Sequence, residues 1–176
     1  MSVLNSPTQD RFLDLNDLLR DLVAQGRLLQ ETAEQCMTLR RSSANSQQHP
    51  LEFLGAQQLD DLARPGKKHD LESLTVWLAE QAGQPYLRID PLKINVAAVT
   101  PLMSYAFAQR HKILAVAVDS SAVTIASSQP FVKSWEANLT HVLQRPIKRV
   151  VANPVDLQRF TVEIYRLGKS VSGATS

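Results

Sequence analysis

The stretch ILAVAVDSSAVTIAS, residues 113–127, determines the architecture expected for the second half of the chain. It contains two apolar runs, residues 113–119 and 122–127, which are separated only by Ser120 and Ser121. A connection this short joins neighbouring strands as a hairpin, so the two strands pair antiparallel. The stretch therefore predicts a mixed or antiparallel sheet.

Helical patterns and short strand-like runs alternate on both sides of this hairpin. Residues 86–90 and 147–152 are predicted to be further strands, which gives a sheet of about four strands. Asn95 is predicted to cap a helix that continues through Arg110, and an amphipathic helix that contains Trp135 follows the hairpin. Alternation of this kind is typical of a small α/β sandwich, in which helices cover a sheet.

The first part of the chain, residues 1–65, has helical periodicity and almost no strand signal. A capping box with proline at the first helical position, residues 6–9, is predicted to open the first helix, and Gly26 is predicted to end it. A second helix is predicted over residues 30–41. A third is predicted to begin at Pro50 and to extend as far as residue 62. This part therefore reads as a helical subdomain.

Proline, glycine and lysine interrupt the helical pattern at residues 64–68, which predicts a subdomain boundary. At the other end, Asn153 and Pro154 are predicted to start the last helix, and the small and polar residues after it to form a tail. The expected protein is of the α+β class, with a helical subdomain followed by an α/β sandwich. The predicted parts are the helical subdomain 1–65, the linker 66–69, the sandwich 70–168 and the flexible tail 169–176.

Composition argues against several classes of partner. The chain has 19 basic and 17 acidic residues with a formal charge of +2, and these are mixed along the sequence, so no basic surface for nucleic acid is expected. No apolar stretch approaches the roughly 20 residues of a bilayer span, so no direct membrane insertion is expected. The first ten residues do not resemble a secretory signal, and the chain is expected to be cytoplasmic.

No arrangement of reactive side chains suggests an active site. The six glycines are not closely spaced, so there is no phosphate-binding loop, and a single cysteine offers neither a disulfide nor a thiolate cluster. Asp60 and Asp61 are interpreted as a solvated pair, and no nucleophile elbow is present. We therefore predict no catalytic, cofactor-binding or metal-binding residue. The histidines, which are too scattered to bind zinc together, are His49, His69, His111 and His141.

The run LAEQAGQPYLRIDPLKI, residues 78–94, resembles the N-terminal domain of bacterial type II secretion ATPases (general secretory pathway protein E) and of type IV pilus assembly ATPases, a domain of the MshEN type. The likeness continues through residues 99–111, the hairpin, Trp135 and residues 150–154.

The resemblance implies a non-catalytic module that precedes an ATPase motor domain in the same protein. In this family the module recruits the motor to an inner-membrane platform through the cytoplasmic domain of a membrane protein similar to GspL. Walker motifs do not occur in this chain, so ATP turnover is not transferred to it. The module is expected to be peripheral to the inner membrane through that partner.

The docking residues predicted from the sequence lie on one apolar stripe and on one tryptophan that falls outside its own helix's leucine stripe. The alternative interpretation is that the stripe forms the core of its own domain. The tryptophan is predicted to be exposed and thus available for contact. The five candidates are Phe12, Leu15, Leu19, Leu22 and Trp77.

Some relatives of this domain bind cyclic di-GMP through helical motifs that begin with Arg-Leu-Gly and continue through Leu-Val and a glycine. Here Leu22, Val23 and Gly26 match the later part, whereas residues 17–19 are Asp-Leu-Leu and residues 49–54 depart from a second copy. The missing guanidinium would have paired with phosphate or stacked on guanine. Cyclic di-GMP is the alternative partner, and its binding would require another cation in place of the missing arginine. The candidates for that cation are Arg11, Arg20 and Arg27.

Overall fold

The computed structural model describes residues 10–44 and 47–174, with side chains up to Ser170. These residues form two compact units. The first, which we call the helical unit, comprises Leu13–Trp77. The second, the α/β unit, comprises residues 10–12 together with residues 78–174. The sequence predicts the boundary between the two parts at residues 66–69. In the structure the boundary lies between Trp77 and Leu78, inside the helix Leu71–Ala82.

The helical unit contains α1 (Leu15–Ala24), α2 (Gln30–Ser42), α3 (Pro50–Ala56) and the first part of α4 (Leu71–Ala82). The predicted helix over residues 30–41 is confirmed, and Gly26 follows α1 in the left-handed region with φ +69°. The capping box predicted at residues 6–9 lies outside the described residues. The helix α1 begins directly after Asp14, whose backbone is extended.

The helix α3 ends at Ala56, earlier than the sequence predicts. Gln58 adopts a left-handed conformation with φ 54°, which a continuing right-handed helix does not allow. The chain then forms a closed loop, in which Asp60 and Lys68 make an antiparallel bridge and an ion pair of 2.5 Å between Oδ1 and Nζ. The predicted linker 66–69 therefore lies inside the helical unit, and His69 is buried there.

Asp61 is the polar centre of this loop, and its side chain is fully buried. Its carboxylate accepts hydrogen bonds from Arg27 Nη2 at 2.8 Å, Arg64 Nε at 2.7 Å and the Ala63 N–H at 3.0 Å, and His69 Nε2 lies 3.7 Å away. Burial raises the pKa of Asp61, but the hydrogen bonds from the two arginines outweigh it and hold the pKa well below its usual range. The sequence interpretation of Asp61 as a solvated residue is wrong.

The α/β unit is built on a three-stranded sheet in the order β1-β2-β3. Its strands are β1 (Ile113–Val118), β2 (Val123–Ser127) and β3 (Ile147–Val151). The first two form the predicted antiparallel hairpin, whereas β2 and β3 are parallel. The structure thus confirms an α+β fold with a mixed sheet, in which β2 is the central strand.

The fourth predicted strand, residues 86–90, is reduced to an isolated parallel bridge between Tyr86 and Val151. The Leu87 N–H donates to the Val151 carbonyl oxygen at 2.8 Å, and the pairing does not continue. Asp90 instead caps the short 3₁₀ turn Pro91–Lys93, where its carboxylate accepts from the Leu92 N–H at 3.1 Å. The last residue of the predicted strand thus belongs to this turn.

The described part of the α/β unit also contains four whole helices and the end of a fifth, and two of them occupy the region where the sequence predicts one. The helices are the end of α4, α5 (Val96–Val99), α6 (Tyr105–His111), α7 (Ser134–Leu143) and α8 (Pro154–Ala174). A 3₁₀ turn, Thr100–Leu102, and the extended residue Met103 separate α5 from α6. Pro101 has no N–H for helix continuation, and the Ser104 hydroxyl caps α6 by accepting from the Phe107 N–H at 3.0 Å.

The last helix, α8, covers most of the predicted tail, because it continues through Ala174. Gly168 is buried on this helix. A Cβ atom at this position would lie only 2.8 Å from Thr100 Cγ2, so the absence of a side chain lets α8 approach the 3₁₀ turn closely. Residues 175 and 176 lie outside the described part of the chain.

Residues 10–12, which we call the N-terminal strap, belong to the α/β unit although the helical unit follows them in sequence. The Asp10 carboxylate accepts from the Lys133 N–H at 2.7 Å and the Ser134 N–H at 2.9 Å, and thereby caps α7. The Arg11 N–H donates to the Phe131 carbonyl oxygen at 3.1 Å. Hydrogen bonds from Ser134 and Lys133 hold the pKa of Asp10 below its usual value.

Candidate functional site

The helical unit carries an open groove of about 460 Å³ between α1 and α2. Its residues come from the two helices alone. Apolar side chains form the floor and polar or charged side chains form the rim. The floor consists of Leu19, Val23, Ala33 and Met37, and the rim of Asn16, Arg20, Gln30, Glu34, Thr38 and Arg41.

Helical periodicity places these residues on facing sides of the two helices. On α1 the groove residues Asn16, Arg20 and Val23 recur at spacings of four and three, beside the leucine stripe that packs into the unit. On α2 the residues Gln30, Glu34 and Arg41 follow the same rule. Each helix therefore has one face for the core and an adjacent, mixed face for the groove.

The two arginines of the rim stand on opposite walls, and they differ in their ionic partners. The Arg20 side chain is 60% exposed, and its nearest carboxylate is that of Asp17, at 3.7 Å. Arg41 Nε donates to the Met37 carbonyl oxygen at 3.4 Å, and no carboxylate among residues 10–44 and 47–174 lies within ion-pair distance of Arg41. The one rim carboxylate, Glu34, accepts from Gln30 Nε2 at 3.2 Å.

Most of the predicted docking residues are buried. Leu15, Leu19 and Leu22 are at most 4% exposed, so the stripe forms the core of its own unit, as the alternative interpretation had it. Leu19 also reaches the floor of the groove. Phe12, at 68% exposure, is accessible and lies on the N-terminal strap of the α/β unit. Its role in docking stays a prediction.

The prediction that Trp77 is exposed is wrong. Its side chain is 2% exposed, and the indole N–H donates to Gln25 Oε1 at 2.9 Å. The helix α4 is buried on more than one face, because Leu74, Thr75 and Ala79 are buried as well. A position outside the leucine stripe of such a helix is therefore still in the interior.

The three arginines proposed to replace the motif arginine do not form one site. Arg27 is committed to the buried carboxylate of Asp61. Arg11 belongs to the α/β unit, where its guanidinium lies 5.1 Å from the centre of the Phe131 ring. Of the three, Arg20 lines the groove, where it is joined by Arg41, which the sequence analysis did not single out.

A second, partly apolar stripe on each helix was the available signal for this groove. On α1 each residue of this second stripe follows a buried leucine by one position, as Arg20 follows Leu19 and Val23 follows Leu22. On α2 the second stripe ends with Met37 and Arg41. Within the part of the chain that the structure describes, no group of three or more metal-ligating side chains occurs, and no helix has both the length and the apolarity needed to span a bilayer.

Known proteins are similar to this chain in sequence. The model of the MshEN domain matches residues 82–171, which lie in the α/β unit. The type IV pilus assembly ATPase TfpB of Acinetobacter baylyi is 36% identical over 160 residues, which are 90% of this chain and 27% of TfpB. This chain thus spans about a quarter of the length of that relative.

Similarity extends to solved structures. A structure of MshE with cdg (cyclic di-GMP) shares the fold and matches 87% of this chain and 99% of its own, with a TM-score of 0.54 and 20% identity. The N-terminal domain of XpsE matches 82% of this chain and 90% of its own, with a TM-score of 0.44 and 14% identity. The family model covers half of the residues and TfpB extends the sequence likeness to nine tenths of them. The chain therefore belongs to the MshEN domain family.

Proposed function

We propose that this chain is the non-catalytic N-terminal docking and regulatory domain of a bacterial type IV pilus assembly or type II secretion ATPase. It recruits the motor domain, which lies in the same protein, to the inner-membrane platform. The relationship to TfpB over 90% of this chain supports the assignment to an assembly ATPase. The partner is the cytoplasmic domain of a platform protein similar to GspL, and the site of action is the cytoplasmic face of the inner membrane.

The observation that carries the docking role is the groove of the helical unit. It combines an accessible apolar floor, which includes the partly buried Val23 and Met37, with a rim that offers two exposed guanidinium groups. Surfaces of this composition are typical of protein–protein contacts, which have an apolar centre and a polar border. Such a surface binds and positions a partner, and it requires no reactive group.

Binding to the platform tests this function directly. We expect the chain to form a 1:1 complex with the cytoplasmic domain of the platform protein from its own system, with a dissociation constant in the micromolar range or below. Isothermal titration calorimetry measures it, with the cytoplasmic domain of an unrelated inner-membrane protein as the control. Absence of heat and of co-elution at about 100 μM of both proteins contradicts the docking function.

Cyclic di-GMP sensing is the second candidate, favoured by the likeness to the structure of MshE with cyclic di-GMP and by Leu22, Val23 and Gly26 at the end of α1. Against it, residues 17–19 replace the motif's Arg-Leu-Gly. The Asp17 carboxylate repels a phosphate, and residue 19 carries a leucine side chain where the motif has glycine, so the ligand cannot approach the backbone closely there.

We therefore expect no binding of cyclic di-GMP. A ligand that binds only the folded protein stabilises it by about 2.7 kcal/mol at one hundred times its dissociation constant, which a thermal scan detects easily. The scan compares the chain with and without about 1 mM cyclic di-GMP, with cyclic di-AMP as the matched control. If cyclic di-GMP raises the thermal midpoint and cyclic di-AMP does not, the helical unit senses cyclic di-GMP and does not serve docking alone.

A further inference from the structure

We infer that the groove between α1 and α2 receives an amphipathic helix of the partner, with acidic residues on both flanks of that helix's apolar face. This inference rests on the proposed docking function and specifies the surface and the chemistry of the contact. It concerns the helical unit alone, since every residue of the groove lies between Asn16 and Arg41.

The shape of the groove favours a helix as its occupant. Two neighbouring helices leave a furrow into which the side-chain ridge of a third helix packs, and a helix in a groove is a common mode of peptide recognition. Val23 from α1 and Met37 from α2 are partly exposed on the floor of the groove and offer apolar contacts to that ridge. Methionine is unbranched and adapts to an incoming side chain, which suits a docking surface.

The charges on the rim determine the polarity of the partner. Arg20 on α1 and Arg41 on α2 are exposed; Arg20 has the 3.7 Å contact with Asp17, and Arg41 has no carboxylate within ion-pair distance among the described residues. Glu34 accepts a hydrogen bond from the neutral amide of Gln30, which does not offset a carboxylate's charge, so the rim carries two guanidinium groups against one carboxylate. A helix whose apolar face lies on the floor presents its two flanks to the two walls. Carboxylates on both flanks would therefore pair with the two arginines, and guanidinium–carboxylate contacts are strong and directional.

Charge reversal of both arginines tests the contact. The probe is the cytoplasmic domain of the platform protein, and the variant is Arg20→Glu combined with Arg41→Glu. We expect binding to weaken about 100-fold, because each reversal replaces an attraction by a repulsion at the rim. The single changes Arg20→Gln and Arg41→Gln are expected to weaken it about 3- to 10-fold each, and the salt dependence of binding to decrease.

The matched control is Arg110→Glu combined with Arg166→Glu, which reverses two exposed arginines of the α/β unit, one on α6 and one on α8, and so changes the net charge by the same amount. Its binding is expected to equal that of the wild type. Circular dichroism and the thermal midpoint check that each variant is folded. In a further step, one acidic residue of the partner helix is replaced by lysine. If this change restores binding to the double variant, it identifies the residue that faces the arginines and supports the inference.

Different outcomes separate this inference from the proposed function. If the wild type does not bind the platform domain, the docking function itself fails. If it binds, and the folded double variant binds as tightly, docking stands and the groove is the wrong surface. Equal weakening by the control, Arg110→Glu combined with Arg166→Glu, assigns the effect to net charge and overturns the inference. The inference is also overturned if the chain self-associates in the absence of the platform domain and the double variant abolishes this self-association, because the groove then receives a second copy of the chain.

Discussion

Replacing Asp61 with alanine is expected to lower the free energy of unfolding of the helical unit by about 3 to 4 kcal/mol at neutral pH. The carboxylate is fully buried and satisfies two guanidinium groups and one backbone N–H, and these donors lose their common acceptor. Arg27 is only 20% exposed, so its charge is left largely without compensation. Denaturant unfolding measures the loss, and hydrogen exchange of the amides in α1 to α3 reports it for the helical unit.

The control for this prediction is Asp60→Ala at the neighbouring residue. Its side chain is 76% exposed and pairs with a half-exposed Lys68, so we expect a loss below about 0.5 kcal/mol. Equal effects at Asp60 and Asp61 would show that the buried ion pairs contribute nothing beyond a surface contact.

The pH dependence gives an independent check on Asp61. The pKa of its carboxyl is lower in the folded chain than the ordinary value of 3.8. Its stabilising contribution is therefore fully present above the pKa of the unfolded state and is lost as the pH falls through the lower pKa of the folded state. The stability difference between wild type and Asp61→Ala should persist at pH 5 and decrease below about pH 4.

Replacing Arg149 with methionine is expected to destabilise the α/β unit by about 2 to 3 kcal/mol. Its side chain is 7% exposed, and Nη1 donates to the Val132 carbonyl oxygen at 2.7 Å while Nη2 donates to that of Gln129 at 3.2 Å. The guanidinium also lies 4.7 Å from the centre of the Trp135 ring. Methionine keeps much of the packing but provides no donor for the loop that joins β2 to α7.

The matched control is Lys148→Met, the same change at the preceding and exposed residue of β3. It is expected to change the free energy of unfolding by less than about 0.5 kcal/mol. Hydrogen exchange of β2, β3 and α7 reports the effect within the α/β unit. A loss at Arg149 no greater than that at Lys148 contradicts the structural role of this guanidinium.

Local signals predicted those parts of the fold that local chemistry determines. The Ser120–Ser121 turn requires a hairpin, and residues 30–41 carry an uninterrupted helical pattern, so both were predicted correctly. Periodicity alone missed the break between α5 and α6, because Met103 keeps the apolar pattern while Pro101 and Ser104 end one helix and start the next. The strand predicted at residues 86–90 is too long, because its pairing with the distant strand β3 is limited to a bridge at Tyr86, and local sequence does not reveal where such pairing stops.

The candidate site was harder to predict, because burial depends on which elements pack together. Leu15 and Trp77 have the character of docking residues, yet tertiary packing makes them core residues. Arg27 and Asp61 are far apart in sequence, so their ion pair could not be inferred from spacing. The groove residues Arg20 and Arg41 became distinctive only when the alignment of α1 and α2 placed them on facing walls.

The N-terminal strap makes the α/β unit discontinuous in sequence. A fragment that starts at residue 78 lacks Asp10, and the first N–H groups of α7 then depend on water for their hydrogen bonds. During folding, this cap forms only after the chain has closed a loop that contains the whole helical unit, and such closure has an entropic cost. Shortened versions for crystallisation or interaction screening therefore need to begin upstream of Asp10.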